Sequence, residues 1–205
     1  MNLQPGDIVL TRSRTGRLGP IIRWFERRTG RPAWPNHVGI ITAAGLLEAP
    51  VGGDISGESL ATLVEALWRV RRGPLWQFYG PPAGPGRPEI QVWRLLAPSS
   101  AQRAVAARKA EEFVGRKYAW WELLEHAADW WLTKKRGKET YLFRRIRLFP
   151  KREECSGVVE VAWAEGGVSF DVPPGTANPE DIHGYVVKPR TAECIFAGVL
   201  GEEKS

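Results

Sequence analysis

Two cysteines and three histidines carry most of the chemistry this chain can offer. Cys155 is the sharpest candidate. It follows Glu153-Glu154 and opens the apolar run Cys155-Ser156-Gly157-Val158-Val159-Glu160-Val161-Ala162-Trp163-Ala164. That pattern places the thiol in the first turn of a helix, where unpaired N–H groups and the positive end of the dipole favour a thiolate. The two preceding acids partly oppose that field. The competing reading is a buried, inert cysteine, a common use of the residue. Cys194, in Ala192-Glu193-Cys194-Ile195-Phe196, reads as an ordinary packed residue. A nucleophilic thiol needs a base, and the base needs an orienting acceptor. His37 opens a strand-like run after a proline-containing loop, a place that holds a ring rigidly at a sheet edge. His126 lies in a Trp-rich helical segment, and His183 precedes the last apolar run and is the fallback base. Glu48 interrupts the apolar run Leu46-Leu47-Glu48-Ala49 and is the acceptor of choice, although taken alone a solvent-facing strand position is the better reading of it.

The elements that must position these groups follow from periodicity and turn chemistry. Gly6–Thr11, 37–41, 68–70 and Glu89–Leu95 read as strands. Helices are expected over 21–28, from a Ser59 cap through Leu67, from Pro98-Ser99-Ser100 to Val114 with Gly115 as the stop, over 120–132, and over 155–164 ending at Gly166-Gly167. Residues 80–88 form a stiff Pro/Gly loop, and Gly184–Lys188 reads as a final strand. The runs 37–41 and 46–49 read as a hairpin. A four-residue turn, Thr42-Ala43-Ala44-Gly45, pairs Gly39 with Glu48 and sets Glu48 diagonal to His37, roughly 7–8 Å away. A two-residue turn at Ala44-Gly45 lengthens that offset to roughly 13 Å and defeats the pairing.

Composition bounds the answer. The 205 residues suit one domain, and 43% hydrophobic with 25% charged residues suits a chain that buries a core. Disorder, collagen and disulfide-dense scaffolds are excluded. No apolar run approaches the roughly 18 residues of a membrane span, and the start Met1–Asp7 lacks the basic and apolar regions of a signal peptide. The expected location is therefore the cytoplasm as synthesised, with any delivery to a cell wall by another route. Two cysteines without a CxxC give no zinc cluster of the usual spacing, and neither metal nor cofactor is expected. Net charge is +6. The stretch from Lys134 to Arg152 alone carries nine Lys or Arg against Glu139, so the rest of the chain is close to neutral. Such a segment suits an anionic polymer or membrane surface. No recognised nucleic-acid motif accompanies it.

The order of these pieces carries a resemblance. Gly6-Asp7-Ile8-Val9-Leu10, His37-Val38-Gly39-Ile40-Ile41, Leu46-Leu47-Glu48-Ala49, Tyr118 and Cys155-Ser156-Gly157-Val158-Val159 together look like the NlpC-type papain-like cysteine peptidases. The closer likeness is to their circularly permuted branch, in which the His strand precedes the Cys helix, and it spans about residues 5–190. The resemblance implies an α+β fold with an antiparallel sheet packed against helices. It implies a Cys nucleophile, a His base and a third polar residue on the next strand, which carry over to Cys155, His37 and Glu48. It also implies a tyrosine before the nucleophile, matched by Tyr118, which would touch substrate or thiolate; a core tyrosine is an equal reading. Thirty-seven positions separate Tyr118 from Cys155, more than the family core requires. The expected organisation is one domain, 1–205, with a Trp-rich and basic insertion at about 120–152.

The helical segment 120–131 holds four of the ten tryptophans. It suits a membrane interface or a sugar polymer, and equally the cover of a core. The leading functional expectation is a cysteine hydrolase that cuts an amide of an acyl or peptide substrate through a thioester. Cell-wall peptide is the substrate the resemblance implies. The alternatives are a lipid-handling thiol acyltransferase or lipase at a membrane surface, and a non-catalytic binding module on the same scaffold.

Overall fold

A computed structural model describes residues 1–13, 34–48, 60–80, 87–118 and 152–201. The helices expected at 21–28 and 120–132, the proposed Ser59 cap, most of the 80–88 loop, and the basic stretch before Arg152 lie outside the described residues.

Ten strands and four helices make up the described chain. The strands are β1 (Asn2–Leu3), β2 (Ile8–Arg12), β3 (His37–Ala43), β4 (Gly45–Leu46), β5 (Thr62–Ala66), β6 (Val70–Pro74), β7 (Glu89–Leu95), β8 (Lys117–Tyr118), β9 (Arg152–Glu153) and β10 (Ala192–Gly198). The helices are α1 (Leu75–Tyr79), α2 (Ser100–Glu111), α3 (Cys155–Glu165) and α4 (Pro179–Val186). Six strands form one sheet in the order β10-β7-β2-β3-β5-β6, every neighbour antiparallel. The fold is thus mixed α+β with an antiparallel sheet, as the sequence leads one to expect. Among the described residues no helix is long and apolar enough to cross a membrane.

Alternation along the strands sends side chains into two cores. Ile8, Leu10, Val38, Ile40, Val64 and Ala66 share one cluster with Ala106 and Ala110 of α2 and Val158, Val159, Ala162 and Trp163 of α3. Val9, Ile41, Leu63, Ile90 and Val92 share the other with Leu75 and Tyr79 of α1. Both faces of the central strands are covered, which explains their unbroken apolar runs.

Four expectations are corrected. First, β3 and β4 do not form a hairpin. Strand β4 pairs with β1, while β3 lies between β2 and β5. Second, the stretch expected as a helix through Leu67 is strand β5. Leu63, Val64, Glu65 and Ala66 are buried on both faces, and two-sided burial erases the alternation that marks a strand. Third, Gly184–Lys188 is no strand: Gly184 to Val186 close α4. Asn178 caps this helix, accepting from Asp181 N at 2.8 Å while Asp181 Oδ2 accepts from Asn178 N at 2.9 Å. With Pro179 at the start, this local capping box outweighs the strand preference of Tyr185-Val186-Val187. Cys194 is likewise not packed; it is exposed on β10, an edge strand, and both cysteines are free thiols.

The two helices against the first core start on expected signals, and α3 stops at Gly166 as expected, whereas α2 ends at Glu111, short of the expected Val114 and Gly115. Ser99 caps α2 in a box with Gln102, whose Nε2 also donates to Gly166 O at 3.0 Å and ties the start of α2 to the end of α3. Asp7, fully buried, receives Arg94 Nε at 2.9 Å and Nη2 at 2.7 Å, which locks β2 to β7. Gly6 beside it has φ +88°, and a Cβ there would stand 2.9 Å from Trp163 Cζ2. Gly6→Ala is therefore expected to cost about 1–3 kcal/mol. Urea unfolding checks this: the midpoint falls at unchanged m, and an unmoved midpoint contradicts the packing described.

Candidate active site

Helix α3 begins at Cys155, with Glu154 as its N-cap in extended conformation and no side-chain cap bond. The first amide bonded within the helix is that of Val158, to Glu154 O at 3.1 Å. The amides of Cys155, Ser156 and Gly157 therefore have no carbonyl behind them in the helix. Cys155 is 5% exposed and His37 7%, so both are buried, and Cys155 belongs to the first core cluster.

His37 is the first residue of β3, opposite Thr11 of β2. Its Nε2 lies 2.9 Å from Glu65 Oε2. Nε2 is so occupied, and Cys155 lies near enough to the ring to raise its pKa. The structure thus brings together two of the expected residues, Cys155 and His37.

It does not bring Glu48 to them. Glu48 is exposed beyond β4, and its Oε1 accepts from Gly201 N at 3.2 Å. The acid beside His37 is Glu65, on β5. The reason is register: Gly39 faces Glu65 across β3 and β5, so Glu65 sits diagonal to His37. That is the geometry expected for Glu48, delivered by a different neighbouring strand. A Cβ on Gly39 would lie 2.8 Å from Leu63 Cδ1 and 3.2 Å from Glu65 Cβ, so the glycine leaves the room this pairing needs. Glu65 carried a readable signal, since it interrupts Leu63-Val64-Glu65-Ala66 just as Glu48 interrupts its own run.

Glu65 has no exposed side-chain surface. Arg71, its partner across the β5–β6 pair, donates Nε to Oε1 at 2.7 Å and adds Nη2 to the same oxygen. Tyr79 of α1 donates its hydroxyl to Oε2. Burial alone would raise the Glu65 carboxyl, but His37, Arg71 and Tyr79 outweigh it and hold it below 4.5. Burial likewise opposes a charge on His37, yet Cys155 and Glu65 prevail and the ring is pushed up to about 10. Burial and the Glu65 anion push the Tyr79 phenol well above 10, so it keeps its proton.

Tyr118 pairs in parallel register with Glu153, which sets its backbone beside the strand that leads into Cys155. His183 is on α4, stacked on Trp34 with centroids 5.7 Å apart and Nδ1 3.6 Å from Glu180. The fallback base is therefore engaged elsewhere. His126 lies outside the described residues. No protein-family model matches this chain, and no curated protein matches it.

Two predictions follow from the charges. In Cys155→Ala the partner that raises His37 is gone while burial remains, so the ring titrates well below about 10; histidine NMR across pH reads this, and an unmoved midpoint contradicts the coupling. Glu65 is held below its free value of 4.5, so its contribution to stability is present above that value and lost as pH falls through the folded one. Urea midpoints of the native chain should fall more steeply below about pH 4.5 than those of Glu65→Gln; parallel curves contradict the assignment.

Proposed function

We propose that this chain is a papain-like cysteine hydrolase of the permuted NlpC type, working through Cys155, His37 and Glu65. One observation carries the reading: a buried imidazole bonded to a buried carboxylate lies near enough to a thiol at a helix N-terminus to be raised by it. Nucleophile, base and orienting acceptor are the parts that thiol acyl transfer needs.

The sulfur of Cys155 attacks the acyl carbon, and its former proton resides on His37. The carbonyl electrons move to oxygen, and the anion meets the unpaired amides at the head of α3. As the carbonyl re-forms, the C–N bond breaks and its electron pair stays on nitrogen. The His37 imidazolium gives that nitrogen its proton, so an amine leaves and a thioester remains. Water then loses a proton to His37, adds to the thioester and frees the acid, and the proton returns to sulfur. Glu65 holds the ring in place and supports its positive charge throughout. An amide in cell-wall peptide is the substrate class we assign, on the sequence resemblance. Tyr118 belongs to the same reading as a substrate-side residue.

Peptidoglycan fragments incubated with the protein should release free amino groups. Cys155→Ala should abolish this release, and His37→Ala should lower kcat by roughly 10³-fold or more. Glu65→Gln should lower it by roughly 10–10⁴-fold, whereas Glu48→Gln should leave it within about twofold. Equal losses in the Glu48 and Glu65 variants contradict the assignment. Fatty-acid release in place of amine would reassign the substrate to a lipid ester or amide.

A further inference from the structure

Glu65 is held more tightly than an orienting acid requires. An ionised carboxylate has about four lone-pair positions. Four donors meet them here: Nε and Nη2 of Arg71 on Oε1, and the Tyr79 hydroxyl and the His37 ring on Oε2. Two of these donors share the one oxygen that faces the base. A hydrogen bond from Tyr79 draws electron density from that oxygen, and the Arg71 cation offsets the charge of the whole group.

We propose that Tyr79 and Arg71 are positioning residues that hold back the charge Glu65 presents to His37, so that the imidazolium can release its proton to the departing amine. This rests on the cysteine-hydrolase reading above. A fully buried carboxylate with no other donor would bind the imidazolium too firmly, and a general acid weakens as its conjugate base grows stronger. With His37 already pushed up to about 10, any further support would slow the proton's departure.

The supporting residues are themselves fixed. Arg71 lies over the Phe78 ring, 4.0 Å from its centroid. Gly73 makes room for that ring, since a Cβ there would stand 2.7 Å from Phe78 Cζ. Tyr79 is buried in the second core. The charged and titratable groups around Glu65 are thus His37 from β3, Arg71 from β6 and Tyr79 from α1, with Cys155 of α3 beyond the imidazole.

The sign of the effect separates this role from simple scaffolding. If Tyr79 only kept Glu65 in place, Tyr79→Phe would loosen the carboxylate and His37 would become less basic. If Tyr79 attenuates Glu65, the same change makes His37 more basic. The full chain, labelled with 13C at histidine Cε1, is titrated by NMR, and the His37 signal is identified by its loss in His37→Ala. The expected result for Tyr79→Phe is an upward shift of the His37 midpoint, on the order of half a pH unit. The kcat for amide cleavage should fall about threefold to tenfold at unchanged KM. Arg71→Gln should shift the midpoint in the same direction and serves if Tyr79→Phe does not fold. A midpoint that falls or stays in a folded variant overturns the proposal. A native His37 that titrates near 6.5 and ignores Cys155→Ala overturns the hydrolase reading itself, and this proposal with it.

Discussion

A carboxylate without solvent must either give up its charge or find a donor for every lone pair. Glu65 takes the second course, and much of the architecture around the site serves that end. Its four donors come from three elements, β3, β6 and α1. None of the three can shift without leaving a buried charge short of a partner. The burial that would neutralise an isolated acid instead makes its interactions strong, because no water competes for the anion. That strength passes to His37 and through the ring to Cys155. Removing a donor therefore changes the charge balance of the whole group as well as one bond.

The sheet supplies the geometry and the glycines supply the space. Antiparallel pairing of β3 with β5 sets His37 and Glu65 on one diagonal, and pairing of β5 with β6 sets Arg71 directly opposite Glu65. Gly39 and Gly73 stand where any side chain would collide with Leu63 or with Phe78. The same solution appears away from the site. Asp7 is equally buried and carries a two-pronged Arg94, with Gly6 pressed against Trp163 beside it. In that place the buried ion pair anchors strand ends; around Glu65 it also meets a titratable ring. The difference lies in the neighbour, not in the pair.

Local chemistry was legible in the sequence wherever one element decided it. The start of α2 at Pro98-Ser99-Ser100, the Gly166-Gly167 stop and the position of Cys155 at the head of α3 all follow from a few adjacent residues. Pairing between distant strands was not legible. Nothing in residues 37–48 says that β3 prefers β5, whose sequence lies some twenty residues further on, to the nearer β4. The acid beside His37 stands amid apolar strand residues, diagonal to the ring and opposite Gly39. Glu48 and Glu65 both stand amid apolar residues, and only long-range register chose between them. Both-face burial of β5 and a strong cap before Pro179 hid two further elements, because periodicity reports the environment of a segment as much as its backbone.

On the proposed reading, sulfur, imidazole and carboxylate act as one charge-coupled unit before any substrate arrives. The most direct measurement is the rate at which iodoacetamide alkylates Cys155 at neutral pH. Cys194→Ser serves as the common background. Rapid alkylation is expected in that background and with the added Glu48→Gln change, a modest loss with Glu65→Gln, and free-thiol rates with His37→Ala. Rates at the free-thiol level in the unaltered site, or no loss on removing His37, would contradict it.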